Sequence, residues 1–165
     1  MRGGRVRIVL IDGPSGSGKS TFATALAREL GRAATLVRMD ELYPGWGGLA
    51  SGSAQTERHL VGPIRTGRPG CYRRWNWAAS TPADWRRVDA SRILILEGCG
   101  AATAANRRAA GLSIWVEADD DVRRARALAR DGGLFDAHWE DWDDQFREHV
   151  RRNDPRGAAD VILTN

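Results

Sequence analysis

The 165-residue chain predicts an α/β fold: a doubly wound parallel sheet of about five strands, with flanking helices and a helical lid. Three observations carry that prediction. Short apolar, β-branched runs alternate along the sequence with stretches of helical period. Most of those runs are nearly continuous, as strands covered on both faces are. The first run also leads straight into Gly13-Pro14-Ser15-Gly16-Ser17-Gly18-Lys19-Ser20, which fits G-x-x-x-x-G-K-[ST], the phosphate-binding P-loop.

Taken in order, Arg5–Asp12 is the first strand and runs directly into the glycines. Beyond them Phe22, Leu26 and Leu30 recur at spacings of four among alanines, and Gly31 follows as a stop signal. That pattern predicts an amphipathic helix over 20–30. Further strands are expected at Thr35–Met39, Arg92–Leu96, Leu112–Val116 and Asp160–Leu163. Helices are expected over 53–66, 101–110, 119–131 and 135–151. In the last of these Phe135, Trp139, Trp142, Phe146 and Val150 form one apolar stripe, read as core or lid packing. Residues 43–52 read as a glycine-rich loop able to move. Residues 68–77 read as an irregular or hairpin excursion, with Arg73, Trp75 and Trp77 on one face and Tyr72, Arg74 and Asn76 on the other. One domain spans 1–165, with a lid at about 123–151 and acceptor-side insertions at about 41–53 and 68–80.

Composition narrows the class. Of 25 Lys and Arg residues only one, Lys19, is lysine, and it sits in the P-loop. A compact ammonium fits between phosphates in a glycine-walled pocket where a planar guanidinium is too wide. The net charge is only +4, with arginines spread along the chain, so no nucleic-acid partner is expected. No apolar run is long enough to span a membrane, and no cleaved signal peptide is expected. Cys71 and Cys99 read as reduced thiols of a cytoplasmic protein rather than a disulfide. His59, His138 and His149 stand in no metal-ligand pattern.

The motif assigns its own chemistry. Backbone N–H groups of the loop converge on phosphates at the positive end of the helix that follows. Gly13, Ser15, Gly16, Ser17, Gly18, Lys19, Ser20 and Thr21 are therefore the expected nucleotide-binding residues, with Ser20 placing its hydroxyl on Mg²⁺. In an open parallel sheet ligands bind beyond the carboxyl ends of the strands, and Asp40 and Glu97 both follow such ends. Asp40 is the candidate base for an acceptor hydroxyl. Glu97 is a candidate for the metal or for positioning the acceptor. Tyr43, Arg73, Trp75 and Trp77, with Asp40, are the candidate acceptor-binding residues. Trp46 shares the glycine-rich loop with Tyr43.

These residues resemble the uridine kinase, phosphoribulokinase and bacterial pantothenate kinase group of P-loop kinases. Four pieces carry the resemblance in order: the loop Gly13–Ser20, Asp40-Glu41-Leu42-Tyr43, Leu96-Glu97-Gly98, and Arg126-Ala127-Leu128-Ala129-Arg130-Asp131. The last is similar to that group's lid. Arg123, Arg126 and Arg130 share a helical face by spacing. The resemblance singles out Arg126 and Arg130 as catalytic lid arginines that neutralise charge in the transition state, together with Lys19 and Asp40. An Asp-His-Pro segment of the uridine kinases is replaced here by Tyr72–Trp77, so kinase chemistry transfers better than uridine specificity.

The expectation is an ATP- and Mg²⁺-dependent kinase acting on a hydroxyl of a small molecule. Alternatives are a nucleoside monophosphate kinase-like enzyme, an NTP-hydrolysing switch, and an NTP-binding regulator. A guanine-reading Asn-Lys-x-Asp is absent, since the chain has no second lysine. Homo-oligomerisation is an open alternative.

Overall fold

The computed structural model of the chain describes residues 7–130, 133 and 135–165, the side chain of residue 130 apart. Strand β1 (Ile8–Asp12) passes through the glycine loop into helix α1 (Lys19–Leu30), which returns to β2 (Ala34–Arg38). A longer helix then begins as α2 (Leu49–Gln55), widens to π pitch over Thr56–Val61, and ends as α3 (Gly62–Arg65). Strands β3 (Gly70–Asn76) and β4 (Thr81–Val88) form a hairpin. The chain re-enters the sheet as β5 (Ile93–Glu97), followed by α4 (Ala104–Ala109), β6 (Leu112–Glu117), α5 (Asp120–Arg130), α6 (Trp139–Asn153) and β7 (Val161–Thr164).

The main sheet has five strands in the order β2-β5-β1-β6-β7, paired in parallel throughout. β1 is central and lies between β5 and β6, where the strand order reverses, so its carboxyl end opens at the crevice that such sheets use for ligands. Alternate residues of β1 face opposite layers. Ile8 and Leu10 join the large core under α2, α3 and α6, while Val9 and Ile11 pack with Ala23 of α1. Burial on both faces explains why these strands read as continuous apolar runs.

Two expectations are corrected. The glycine-rich loop expected over 43–52 ends at Gly48, because α2 has already begun at Leu49, and both Tyr43 and Leu49 are buried. β4 was not expected. Its sequence Thr-Pro-Ala-Asp-Trp-Arg-Arg-Val is largely exposed and carries Pro82, which is tolerated because this two-stranded ribbon has free edges. The register of the hairpin shifts between Arg73 and Trp75, where two residues of β3 span three of β4, so the extra residue of this bulge lies on β4. No helix among the described residues is long and apolar enough to cross a membrane. Both cysteines are free.

Candidate active site

The glycine loop has the conformation its sequence demands. Gly16 and Gly18 lie at φ +78° and +95°, where a side chain is strained. A Cβ at Gly16 would overlap the Arg123 carbonyl of α5, and one at Gly13 the Val116 carbonyl of β6. The loop is thus closely walled by the backbone of β6 and α5. Within it Ser17 Oγ is buried without a hydrogen-bond partner. The buried Lys19 ammonium folds back to donate to the Pro14 carbonyl at 3.0 Å. Glycine backbone, an orphaned hydroxyl and a lone ammonium at a helix N-terminus fit a polyphosphate. Thr21 is exposed on the first turn of α1.

Next to the loop, Ser20 Oγ donates to Glu97 Oε1 at 3.1 Å, and Arg38 Nη1 pairs with Glu97 Oε2 at 3.4 Å. Arg38 also reaches Thr24 Oγ1 at 2.9 Å. Burial raises the Glu97 carboxyl above its ordinary 4.5, with Asp40 adding to the rise and Lys19, Ser20 and Arg38 opposing it. For Lys19 burial works downward, but Cys99, Glu97, Asp40 and Asp12 outweigh it and hold the ammonium above its ordinary 10.5. Lys19 therefore stays charged although buried. Ser20 and Glu97 together present a hydroxyl and a carboxylate suited to Mg²⁺. Asp40 differs from Glu97. Its side chain is exposed and has no hydrogen bond or ion pair among the described residues. Only its backbone carbonyl is engaged, by Trp77 Nε1 at 2.9 Å.

Beneath the loop lies a network that the sequence did not announce. The buried Asp12 carboxylate accepts from the backbone N–H of Gly13, Gly100 and Ala102 at 2.7, 3.2 and 2.8 Å. His149 Nε2 lies 2.9 Å from its second oxygen. Asn153 Nδ2 donates to His149 Nδ1 at 3.1 Å, so the ring proton sits on Nε2 and goes to Asp12. Helix α6 is thereby pinned to the start of the P-loop. Cys99 Sγ donates to the Gly13 carbonyl at 3.3 Å, and Tyr43 Oη to the Cys99 carbonyl at 2.7 Å. An acidic residue before the glycines and a histidine on the apolar stripe were the available signals; their pairing across 137 positions was not.

A cavity of about 370 Å³ connects the two ends of the site. Ser15, Lys19, Ser20 and Glu97 line its phosphate end; Asp40, Tyr43, Trp46, Trp77, Phe135 and Trp142 line the other. Phe135 and Trp142, expected as packing residues, thus also present surface to the cavity. Arg73 and Trp75 do not line it. The Arg73 side chain turns to the Ala83 carbonyl at 3.1 Å, and Trp75 packs beside Gly45. Arg126 is exposed on α5 and is not part of the lining. The Arg130 side chain and Asp131 lie outside the described residues. On the same helix it is Arg123 that turns inward, over the Trp139 ring at 5.6 Å and towards Asp143 at 3.5 Å.

No protein-family model matches the chain, and no curated protein matches it. Solved structures do. A structure described as a possible uridine kinase from Bacillus stearothermophilus matches at TM-score 0.66 and 17% identity, covering 99% of this chain and 91% of that one. The shikimate kinase from Acinetobacter baumannii in complex with shikimate matches at TM-score 0.56 and 19% identity, over 97% and 84%. A gluconokinase from Sinorhizobium meliloti 1021 matches at TM-score 0.53 and 16% identity, over 97% and 83%. With its P-loop at the strand-order reversal of a five-stranded parallel sheet, the chain has the fold of these P-loop kinases.

Proposed function

We propose that the protein is an ATP-dependent kinase that transfers the γ-phosphoryl group to a hydroxyl of a small molecule. The observation that carries this reading is the Asp40 carboxylate, without a hydrogen-bond or ion-pair partner among the described residues, lining the same cavity as Lys19 and Ser20. A hydroxyl is a weak nucleophile and needs a base within reach, whereas a hydrolase would need only a positioned water.

In this reading the loop amides and Lys19 bind and orient the phosphates, and Ser20 and Glu97 hold Mg²⁺. Bound MgATP supplies the phosphoryl group and the metal charge that its transfer requires. Asp40 orients the acceptor hydroxyl and takes its proton. As that proton leaves, the bond from the acceptor oxygen to the γ-phosphorus forms and the bond from that phosphorus to the bridging oxygen breaks, releasing ADP. Trp46, Trp77, Phe135 and Trp142 keep water from the reacting centre, which limits futile hydrolysis.

A nucleoside monophosphate acceptor is disfavoured. Arg73 is turned to a carbonyl and Arg74 is paired with Asp84 at 2.8 Å, so neither awaits a second phosphate, and Asp40 would repel one. The test is a phosphotransfer screen with ATP and Mg²⁺ against nucleosides, sugars, vitamins and amino alcohols, with acceptor-free ADP release as the baseline. Acceptor-dependent ADP formation with a phosphorylated alcohol as product is expected. ADP release that no acceptor stimulates would point to a hydrolase. Nucleotide binding without turnover would point to a regulator.

A further inference from the structure

The acceptor end of the cavity combines two features that together select a chemistry. The first is the arrangement of its rings. Trp46 and Trp142 meet at 89° with centroids 6.4 Å apart, Trp46 and Trp77 at 56° and 5.0 Å. Tyr43 stands edge-on to Trp142 at 4.7 Å. These rings form a corner rather than a slot. The rings that do lie parallel to Trp46, Phe135 at 5.3 Å and His138 at 4.6 Å, already touch it. An inserted flat heterocycle would need twice that stacking separation. A corner of non-parallel π faces suits a rounded cation, as in aromatic cages for ammonium groups.

The second feature is charge. Among the described residues, the charged group lining this end of the cavity is Asp40. Glu97 is committed to Ser20 and Arg38, and Lys19 belongs to the phosphate loop. Neither Arg73 nor Arg74 faces the site and, among the described residues, no guanidinium lines the cavity, so an acidic acceptor such as a sugar acid would meet the Asp40 carboxylate there. We infer that the acceptor is an alcohol bearing a positively charged nitrogen, held by the Trp46–Trp77–Trp142 corner with Asp40 as its counter-ion. The inference rests on the kinase reading for the role of the hydroxyl, not for the cation.

The experiment uses the full chain saturated with ADP and Mg²⁺ and two sets of probes matched in shape. One set is choline and its neutral isostere with a tert-butyl group in place of the trimethylammonium. The other is glucosamine, glucose and glucuronate. Binding is followed by calorimetry and tryptophan fluorescence, and transfer to each probe is measured separately with ATP. Choline and glucosamine should bind about tenfold more tightly than their neutral counterparts, the scale of a partly desolvated cation–π contact. Glucuronate should bind most weakly. Trp77 is 38% exposed at the hairpin end, so Trp77→Leu is expected to stay folded while erasing the preference, and Trp77→Phe should retain most of it. Trp142→Leu serves as a second variant. Equal affinity for cation and isostere, tighter binding of glucuronate, or no saturable binding of either cation overturns the inference. Cation-selective binding without transfer to any probe counts against the kinase reading and leaves the cation site standing. Transfer without cation preference does the reverse.

Discussion

At one end of the cavity the run Gly13–Ser20, with Glu97 beside it, supplies the site, and such a loop works largely through its backbone N–H groups. At the other, Asp40, Tyr43, Trp46, Trp77, Phe135 and Trp142 supply it with side chains from segments far apart in sequence. Backbone chemistry is the same in every protein, so a phosphate cradle has one solution, written locally in glycine spacing and one lysine. A side-chain surface has many solutions, each set by how elements pack. The first end therefore tolerates little substitution. The second should tolerate change and respond with altered preference.

The sharpest test of that contrast is Lys19→Arg. If the loop accepts only a compact ammonium, transfer should fall by about 10²–10³-fold or to baseline, the scale for removing one preorganised electrostatic group. Most activity surviving in Lys19→Arg would mean the phosphate end is less exacting than its backbone implies. Asp40→Asn should lower turnover by about 10²–10⁴-fold with nucleotide affinity nearly unchanged. Loss of ADP binding in that variant, measured by calorimetry, would merge the two ends into one.

His149→Phe examines what joins them. It leaves one side of the buried Asp12 carboxylate unpaired, and the expected loss of stability is about 1–3 kcal/mol by denaturant titration. An unchanged midpoint would show that the three backbone N–H bonds to Asp12 suffice. Glu97→Gln should act in the opposite direction on stability. Burial holds the Glu97 carboxyl above 4.5, so the folded protein retains a proton that the unfolded chain releases. Stability is then fully present below about pH 4.5 and declines as pH rises through the raised folded value. Glu97→Gln should raise the ligand-free Tm at neutral pH, with the gain vanishing below that value, while Mg²⁺-dependent transfer falls. Smallest of all should be Arg126→Ala. An exposed arginine outside the cavity lining is expected to change kcat by about twofold or less, the ±0.5 kcal/mol scale of surface substitutions. A large drop in kcat would restore the lid role that the resemblance assigned it.

The amino-acid sequence by itself determined the layered α/β architecture, the five parallel strands, the phosphate loop and the placing of Asp40 and Glu97 at strand ends. Each of these is a periodicity or a spacing within a short window, enforced by backbone sterics and by burial on both faces of a sheet. Only the tertiary structure decided which aromatic rings line the cavity, and that Arg73 and Trp75 do not. The Arg73 side chain reaches the Ala83 carbonyl across the hairpin and Trp75 packs beside Gly45, contacts that no local pattern in Cys-Tyr-Arg-Arg-Trp-Asn marks. The pairing of Asp12 with His149, the engagement of Glu97 by Arg38 and the inward turn of Arg123 likewise belong to the folded chain. They are contacts between elements distant in sequence, set by packing geometry rather than by any spacing along the chain.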